Sequence, residues 1–148
     1  MNTVNVHASC VAFGNKAVLI RGPSGAGKSD LALRLIDSQG FGTGGRLKHA
    51  VLVSDDQVLL MRENSKVMVF PPPTLAGKFE IRGIGILQTP YRLKANLELV
   101  IDLKSNTEIE RMPEYSSLET EILGLIFRRY DLDAFSPSAA AKIRALLS

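Results

Sequence analysis

The chain has 148 residues, of which 45% are apolar, and a formal net charge of +3. That length suffices for the core of one domain, the apolar fraction excludes a disordered chain, and the mild charge gives no reason to expect nucleic acid as a partner. Cys10 is the single cysteine, which excludes a disulfide framework and a zinc cluster. Residues 1–7 have neither the basic start nor the apolar centre of a targeting segment, and no run approaches a membrane span, so a cytoplasmic setting without a membrane partner is expected.

Residues 10–13, the pair Gly14-Asn15 and residues 16–20 predict two strands joined by a tight hairpin. An antiparallel hairpin at this point is unlike the β-α-β opening of most small nucleotide kinases. It feeds Gly22-Pro23-Ser24-Gly25-Ala26-Gly27-Lys28-Ser29, which fits the pattern G-x-x-x-x-G-K-[ST] at every position. Gly22, Gly25 and Gly27 let the backbone curl so that successive N–H groups face inward as an anion nest, and the following helix adds the partial positive charge of its N-terminus. Lys28 can reach the outer phosphates of a nucleotide, and the Ser29 hydroxyl can join the coordination of Mg²⁺. A glycine-serine cluster can also be a plain turn, but the full pattern between a strand and a helix reads as a nucleotide-phosphate site.

The helix over 30–37 carries Leu31, Ala32, Leu35 and Ile36 on one face, is predicted to pack on a sheet, and should end near Gln39-Gly40. Residues 41–46 are glycine-rich and are expected to form a mobile connection; no helix follows that would make them a second phosphate loop. Residues 50–54 predict a buried strand that runs into Asp55-Asp56, and 57–62 with 67–70 predict a hairpin around Glu63-Asn64-Ser65-Lys66. Pro71-Pro72-Pro73 reads as a stiff corner rather than a proline-rich ligand.

Residues 78–82 predict a short strand with Phe79 and Ile81 to one side, Glu80 and Arg82 to the other, followed by a glycine-dependent backbone over 83–87. Residues 97–103 predict another strand. Ser116 and Glu119 form a capping pair that predicts a helix over 116–128, leaving Arg128-Arg129 as a solvated helix end. Ser136-Pro137 predicts the start of a last short helix. With no internal repeat and no linker, residues 1–148 read as one domain.

Phosphoryl transfer needs a phosphate cradle, a divalent metal, cancellation of charge and a group that orients or deprotonates the acceptor. Asp55 and Asp56 stand at a strand end, where carboxylates meet a metal or a nucleophile, although a solvated pair is the alternative. Adjacent strand residues point to opposite faces, so one of the two is expected to act as base. Glu80 beside Arg82 is either part of a site or a structural ion pair. His7 and His49 read from pattern alone as surface or partly buried residues, and Arg111 carries no signal of its own.

Taken together, His7, the hairpin, residues 22–29, Asp55-Asp56 and Phe79-Glu80-Ile81-Arg82-Gly83-Ile84-Gly85 come in the order seen in HPr kinase/phosphorylase. The chain resembles that family over residues 4–112, and Glu80-Ile81-Arg82-Gly83-x-Gly85 is close to its signature. Members phosphorylate a serine of HPr, the small carrier protein of the sugar phosphotransferase system. The resemblance implies an α/β P-loop fold like the nucleotide domain of phosphoenolpyruvate carboxykinase, a hairpin-rich mixed sheet with flanking helices. It implies ATP and Mg²⁺ as cofactors, an HPr-like protein as partner and, since the family forms hexamers, self-association.

By the same resemblance Asp55 is the base that takes the acceptor proton and His7 assists it. Lys28 binds phosphate, Ser29 and Glu80 are the protein ligands of Mg²⁺, Arg82 lies in the segment implicated in both reaction directions and is counted among the catalytic residues, and Arg111 is an active-site arginine. The chain departs from the pattern in three places. It begins almost at the catalytic domain, like the short form of some Gram-negative bacteria; its glycine-rich loop from Gln39 to Lys48 is longer; and Phe127-Arg128-Arg129-Tyr130-Asp131 stands where the family has a Pro-x-Arg-Pro-Gly-Arg segment tied to dephosphorylation. Kinase activity is the expectation, and phosphorolysis is left open. A small-molecule kinase on the same scaffold and a nucleotide-sensing module with a protein partner also stay open. A GTPase is disfavoured, because there is no Asn-Lys-x-Asp sequence.

Overall fold

The computed structural model describes residues 3–147. In chain order the elements are β1 (Thr3–Val6), β2 (Ala8–Phe13), β3 (Lys16–Arg21), α1 (Lys28–Asp37), β4 (Gln39–Gly40), β5 (Lys48–His49), β6 (Val51–Ser54), β7 (Val58–Glu63), β8 (Lys66–Phe70), β9 (Lys78–Ile81), β10 (Gly85–Gln88), β11 (Ala95–Leu103), β12 (Glu119–Ile122), β13 (Leu125–Leu132) and α2 (Ala139–Leu146). Among the described residues no helix is long and apolar enough to cross a membrane.

The main sheet has nine strands and runs β1-β7-β8-β11-β3-β2-β6, with β13 added to β11 and β12 to β13. It is mixed: β11 lies parallel to β3 and β13 but antiparallel to β8. The β2–β3 hairpin forms as expected between the two apolar runs, turning at Gly14, whose φ of +62° favours glycine. Both faces of the central strands are buried, which explains their continuous apolar runs. On one face Val11, Val18, Ile20, Leu99 and Ile101 pack with Leu31 and Leu35 of α1 and Ile143 of α2. On the other, Cys10, Leu19 and Val100 pack with Val58, Leu60, Val67 and Val69.

The strand order has a consequence for shape. β1 and β6 are opposite ends of the sheet path, yet β1 joins β2 through His7 alone, and β6 joins β7 through Asp55, Asp56 and Gln57. So short a connection between strands from opposite ends requires the sheet to curl until those ends meet. The seam is closed by Ala8 N–H donating to the Asp56 carbonyl at 3.1 Å and by Asn5 Nδ2 donating to Gln57 Oε1 at 3.0 Å.

Several expectations are corrected. Residues 116–128 are not a helix: β12 and β13 form a hairpin through Leu123 and Gly124, both at positive φ. The capping pair is real as a pattern, but Thr120, Ile122, Leu125 and Phe127 also suit a pleated surface, and pairing with β11 extends the sheet, outweighing local helix propensity. Arg129 is accordingly part of a strand and not a solvated helix end. The glycine-rich stretch is not a free connection; β4 and β5 pair as a hairpin whose loop packs on α2, with Gly42 pressed against the backbone at Ala145. β1 is a strand that the sequence reading omits. α2 begins at Ala139, two residues later than a Ser136 cap implies, because Ala139 N–H first closes a turn on the Ser136 carbonyl.

Candidate active site

The phosphate loop leaves β3 at Gly22 and enters α1 at Lys28. Gly25 and Gly27 take φ of +84° and +97°, values that an L side chain resists, so the loop's curl depends on them. Ala26 N–H closes the loop on the Pro23 carbonyl at 3.1 Å. Gly27 also has no room for a side chain: a Cβ there would stand 2.9 Å from Cβ of Ala134. Lys28 is buried, and its ammonium donates to the carbonyls of Gly22 at 2.7 Å and Pro23 at 3.2 Å.

The buried carboxylate of Asp55 faces this loop. Its Oδ1 accepts from Ser29 Oγ at 2.7 Å and from Ser9 Oγ at 2.9 Å, while Oδ2 lies 3.4 Å from the backbone N of Glu80. The next residue turns the other way. Gln57 N–H bonds the Asp55 carbonyl at 2.8 Å with Asp56 between them at φ +66°, a γ-type turn, and Ser54 Oγ ties the same turn to the Gln57 carbonyl. Asp56 therefore points outward and meets His7 Nε2 at 2.8 Å, both side chains being exposed. The two aspartates go to separate partners, and His7 stands on Asp56 rather than on Asp55.

The remaining expected residues are arranged less tightly. Glu80 is exposed on β9, its backbone within reach of Asp55. Arg82 is exposed just past the end of β9, and among the described residues it forms no ion pair with Glu80. Arg111 lies in the exposed stretch 110–117, and among the described residues no ion pair joins it to Asp55. His49 bonds the Ile36 carbonyl at 3.0 Å, a structural role at the end of α1.

Sequence reading misses three features here. Ser9 is fully buried on β2; the signal was a lone hydroxyl inside an apolar strand, which must find a partner. Beside the loop, Arg21 donates to both oxygens of Asp102 at 2.7 and 3.0 Å, and Arg129 bridges Asp102 at 2.9 Å and Asp131 at 2.6 Å. Burial raises the Asp102 carboxyl, but the hydrogen bonds and charges of Arg21 and Arg129 outweigh it and hold the group below the usual carboxylate range. For Arg129, burial works against the charge, and the bonds to Asp131 and Asp102 prevail and raise it. The third is Arg144 of α2, buried and donating to the carbonyls of Leu35, Ser38 and Lys48, so that it ties α2 to the end of α1 and to β5.

A phosphate loop between β3 and α1, on a curled mixed sheet and with a buried carboxylate on its terminal serine, defines a P-loop domain of the α/β class. The chain belongs to the HPr Serine kinase C-terminal domain family, whose model matches residues 1–136. It is 36% identical over 138 residues to the HPr kinase/phosphorylase of Bordetella pertussis, covering 86% of this chain and 41% of that protein. With the HPr kinase/phosphorylase of Cupriavidus metallidurans it shares 36% identity over 132 residues, 82% of this chain and 38% of that one. The chain thus spans about two fifths of the length of these curated relatives. The solved structure of the Hpr(Ser) kinase/phosphatase from Coxiella burnetii superposes with a TM-score of 0.76 at 26% identity, covering 97% of this chain and 93% of that one. The expected family and fold class are both borne out.

Proposed function

We propose that this domain transfers the γ-phosphoryl group of ATP to a serine of an HPr-like carrier protein in a Mg²⁺-dependent reaction. The observation that carries this reading is the bond from Ser29 to the buried Asp55 carboxylate, which sets an ionisable oxygen against the phosphate cradle in a member of this family. In this reading the N–H groups of residues 22–29 hold the phosphates. Lys28, already within bonding distance of two loop carbonyls, turns its ammonium to the outer phosphates.

The donors fit Mg²⁺. Ser29 and Asp55 offer hard oxygens at the phosphate loop, and Glu80, whose backbone N lies 3.4 Å from Asp55 Oδ2, carries a further carboxylate on β9. That is the donor set of an ion shared between one or two carboxylates and substrate phosphates. Ser29 and Glu80 are the proposed ligands, and the bound ion neutralises charge on the phosphates. Arg82 and Arg111 are the proposed cationic partners of the transferring group or of the protein substrate.

Asp55 Oδ2, the oxygen that Ser9 and Ser29 leave open, is the proposed proton acceptor. One observation favours a second assignment: the His7–Asp56 pair is an exposed carboxylate–imidazole couple next to it, and in that assignment the pair takes the proton while Asp55 holds Ser29 in place.

The test is transfer of labelled phosphate from ATP to purified HPr, with and without Mg²⁺, and mapping of the modified residue. Metal-dependent label on one serine is expected, after which added phosphate tests reversal. ATP binding without label on HPr would turn the assignment to a sensing module, and label on a metabolite to a small-molecule kinase.

A further inference from the structure

The loop after β13 brings a second surface to the phosphate cradle. Phe135 is 68% exposed, and the edge of its ring lies beside the phosphate loop. Its Cζ and Cε1 lie 3.2 and 3.3 Å from the point where a Cβ on Gly27 would stand, so the tip of the ring touches the phosphate loop while a face stays open to solvent. Ala134, beside it, is buried against the same glycine.

This loop is held in place from several sides. Arg34 of α1 donates to the carbonyls of Ala134 and Ser136. The Asp133 carboxylate accepts from Phe135 N–H at 2.9 Å and from Asn106 N–H at 3.1 Å, and Ser136 N–H returns to the Asp133 carbonyl at 3.1 Å. A large aromatic side chain carried on an immobilised backbone, with its face uncovered, is suited to stack the flat face of a ligand, because little ordering remains to be done on binding.

We propose that Phe135 is the platform on which the purine base of the nucleotide stacks while its phosphates lie on residues 22–29. This rests on the nucleotide reading given above. The position of the ring selects the occupant: it abuts Gly27, directly before Lys28 and Ser29, so a ligand anchored by its phosphates leads its next groups past that ring. Moreover, β13 and β11 run parallel to β3, and nucleotides bind α/β sheets at the loops beyond the carboxyl ends of such strands.

The experiment compares calorimetric binding of Mg²⁺-ATP and of Mg²⁺-triphosphate, the inorganic chain without base or ribose, to the wild type and to Phe135→Ala. Loss of a stacked base is expected to weaken ATP by about 5- to 150-fold and leave inorganic triphosphate unchanged. Equal weakening of both ligands would mean that the substitution acts through the loop, and would overturn stacking. Unchanged ATP affinity would overturn the platform and leave the phosphate-loop reading intact. A wild type that binds neither ligand would remove the nucleotide reading and the platform with it. Phe135→Trp gives a second readout that does not depend on the alanine variant folding. The natural chain has no tryptophan, so the indole signal is unambiguous. ATP should quench it and inorganic triphosphate should not; a variant that binds ATP with a silent indole contradicts the proposal.

Discussion

Ser29 Oγ and Asp55 Oδ1 are 2.7 Å apart, a bond that joins the first turn of α1 to the end of β6. Asp55→Asn keeps the shape of the side chain but exchanges one acceptor oxygen for a donor and removes the charge. Transfer to HPr is expected to fall about 10²- to 10⁴-fold while ATP affinity changes only a few-fold. Single-turnover rates alongside equilibrium binding check this; near-normal turnover would exclude Asp55 as the base. Lys28→Ala, by contrast, should damage affinity and rate together, since its ammonium is assigned to the phosphates in both ground and transition states.

His7 and Asp56 can be tested as a unit. Asp56→Asn is the informative change, because asparagine tolerates the positive φ at this position, so the backbone is kept while the charge is lost and one acceptor oxygen becomes a donor. If the two side chains act together on the acceptor proton, His7→Gln, Asp56→Asn and the double variant should show losses within about twofold of one another. Losses that multiply in the double variant would dissolve the pair.

Gly27→Ala probes the packing of the loop after β13 on the phosphate loop. The new methyl group meets Ala134 Cβ at 2.9 Å and forces a φ of +97° on an L residue. Destabilisation on the order of 2 kcal/mol is expected, with loss of inorganic triphosphate binding. Gly25→Ala, where nothing lies within 4 Å of the added carbon, should suffer only the backbone penalty of about 1–2 kcal/mol. Urea unfolding of the two variants should therefore rank Gly27→Ala as the less stable, and equal midpoints would refute the steric part of this account.

The cluster of Arg21, Asp102, Arg129 and Asp131 predicts a pH dependence. The carboxyl of Asp102 titrates lower in the folded chain than in the unfolded one, so its stabilisation is complete above about pH 4 and is lost as the pH falls through the folded value. Asp102→Asn should cost about 1–3 kcal/mol at neutral pH, by removing the partner of two arginines, and progressively less in acid. Unfolding midpoints measured from pH 7 to pH 2 decide the matter; a difference between wild type and variant that stays constant over that range would rule out the linkage.

The parts of the fold that could be read from residue order are those governed by local rules. The β2–β3 hairpin, the phosphate loop and α1 follow one another in the chain, and each carries its own signal in glycine placement or apolar period. The β12–β13 hairpin was misread because its decisive contact is with β11, and because Leu123, with its positive φ, is an unusual residue for a tight turn. At the site, Lys28 and Ser29 were legible as a motif, whereas the partner of His7 was not. Whether that histidine meets Asp55 or Asp56 depends on the tight turn centred on Asp56, whose positive φ leaves no clear mark in the sequence. Asp102 and Phe135 are not legible for a related reason, and Ser9 shows only that it needs a partner: each acquires its meaning from a neighbour distant in the chain.

The short seam through His7 and Asp55–Gln57 also sets an order of events. The β2–β3 hairpin, the phosphate loop and α1 need only neighbours within about 30 residues, whereas β1 has no partner until β7 has been made. An emerging or partly opened chain can therefore form an anion cradle before it forms the carboxylate–imidazole pair. If the proton of the acceptor goes to that pair, such a chain would hold nucleotide without turning it over, and premature hydrolysis would be avoided without any dedicated safeguard. On that assignment, closing the last edge of the sheet would double as the step that arms the domain, and fraying at β1, whose side chains are mostly exposed, would be the gentlest way to disarm it.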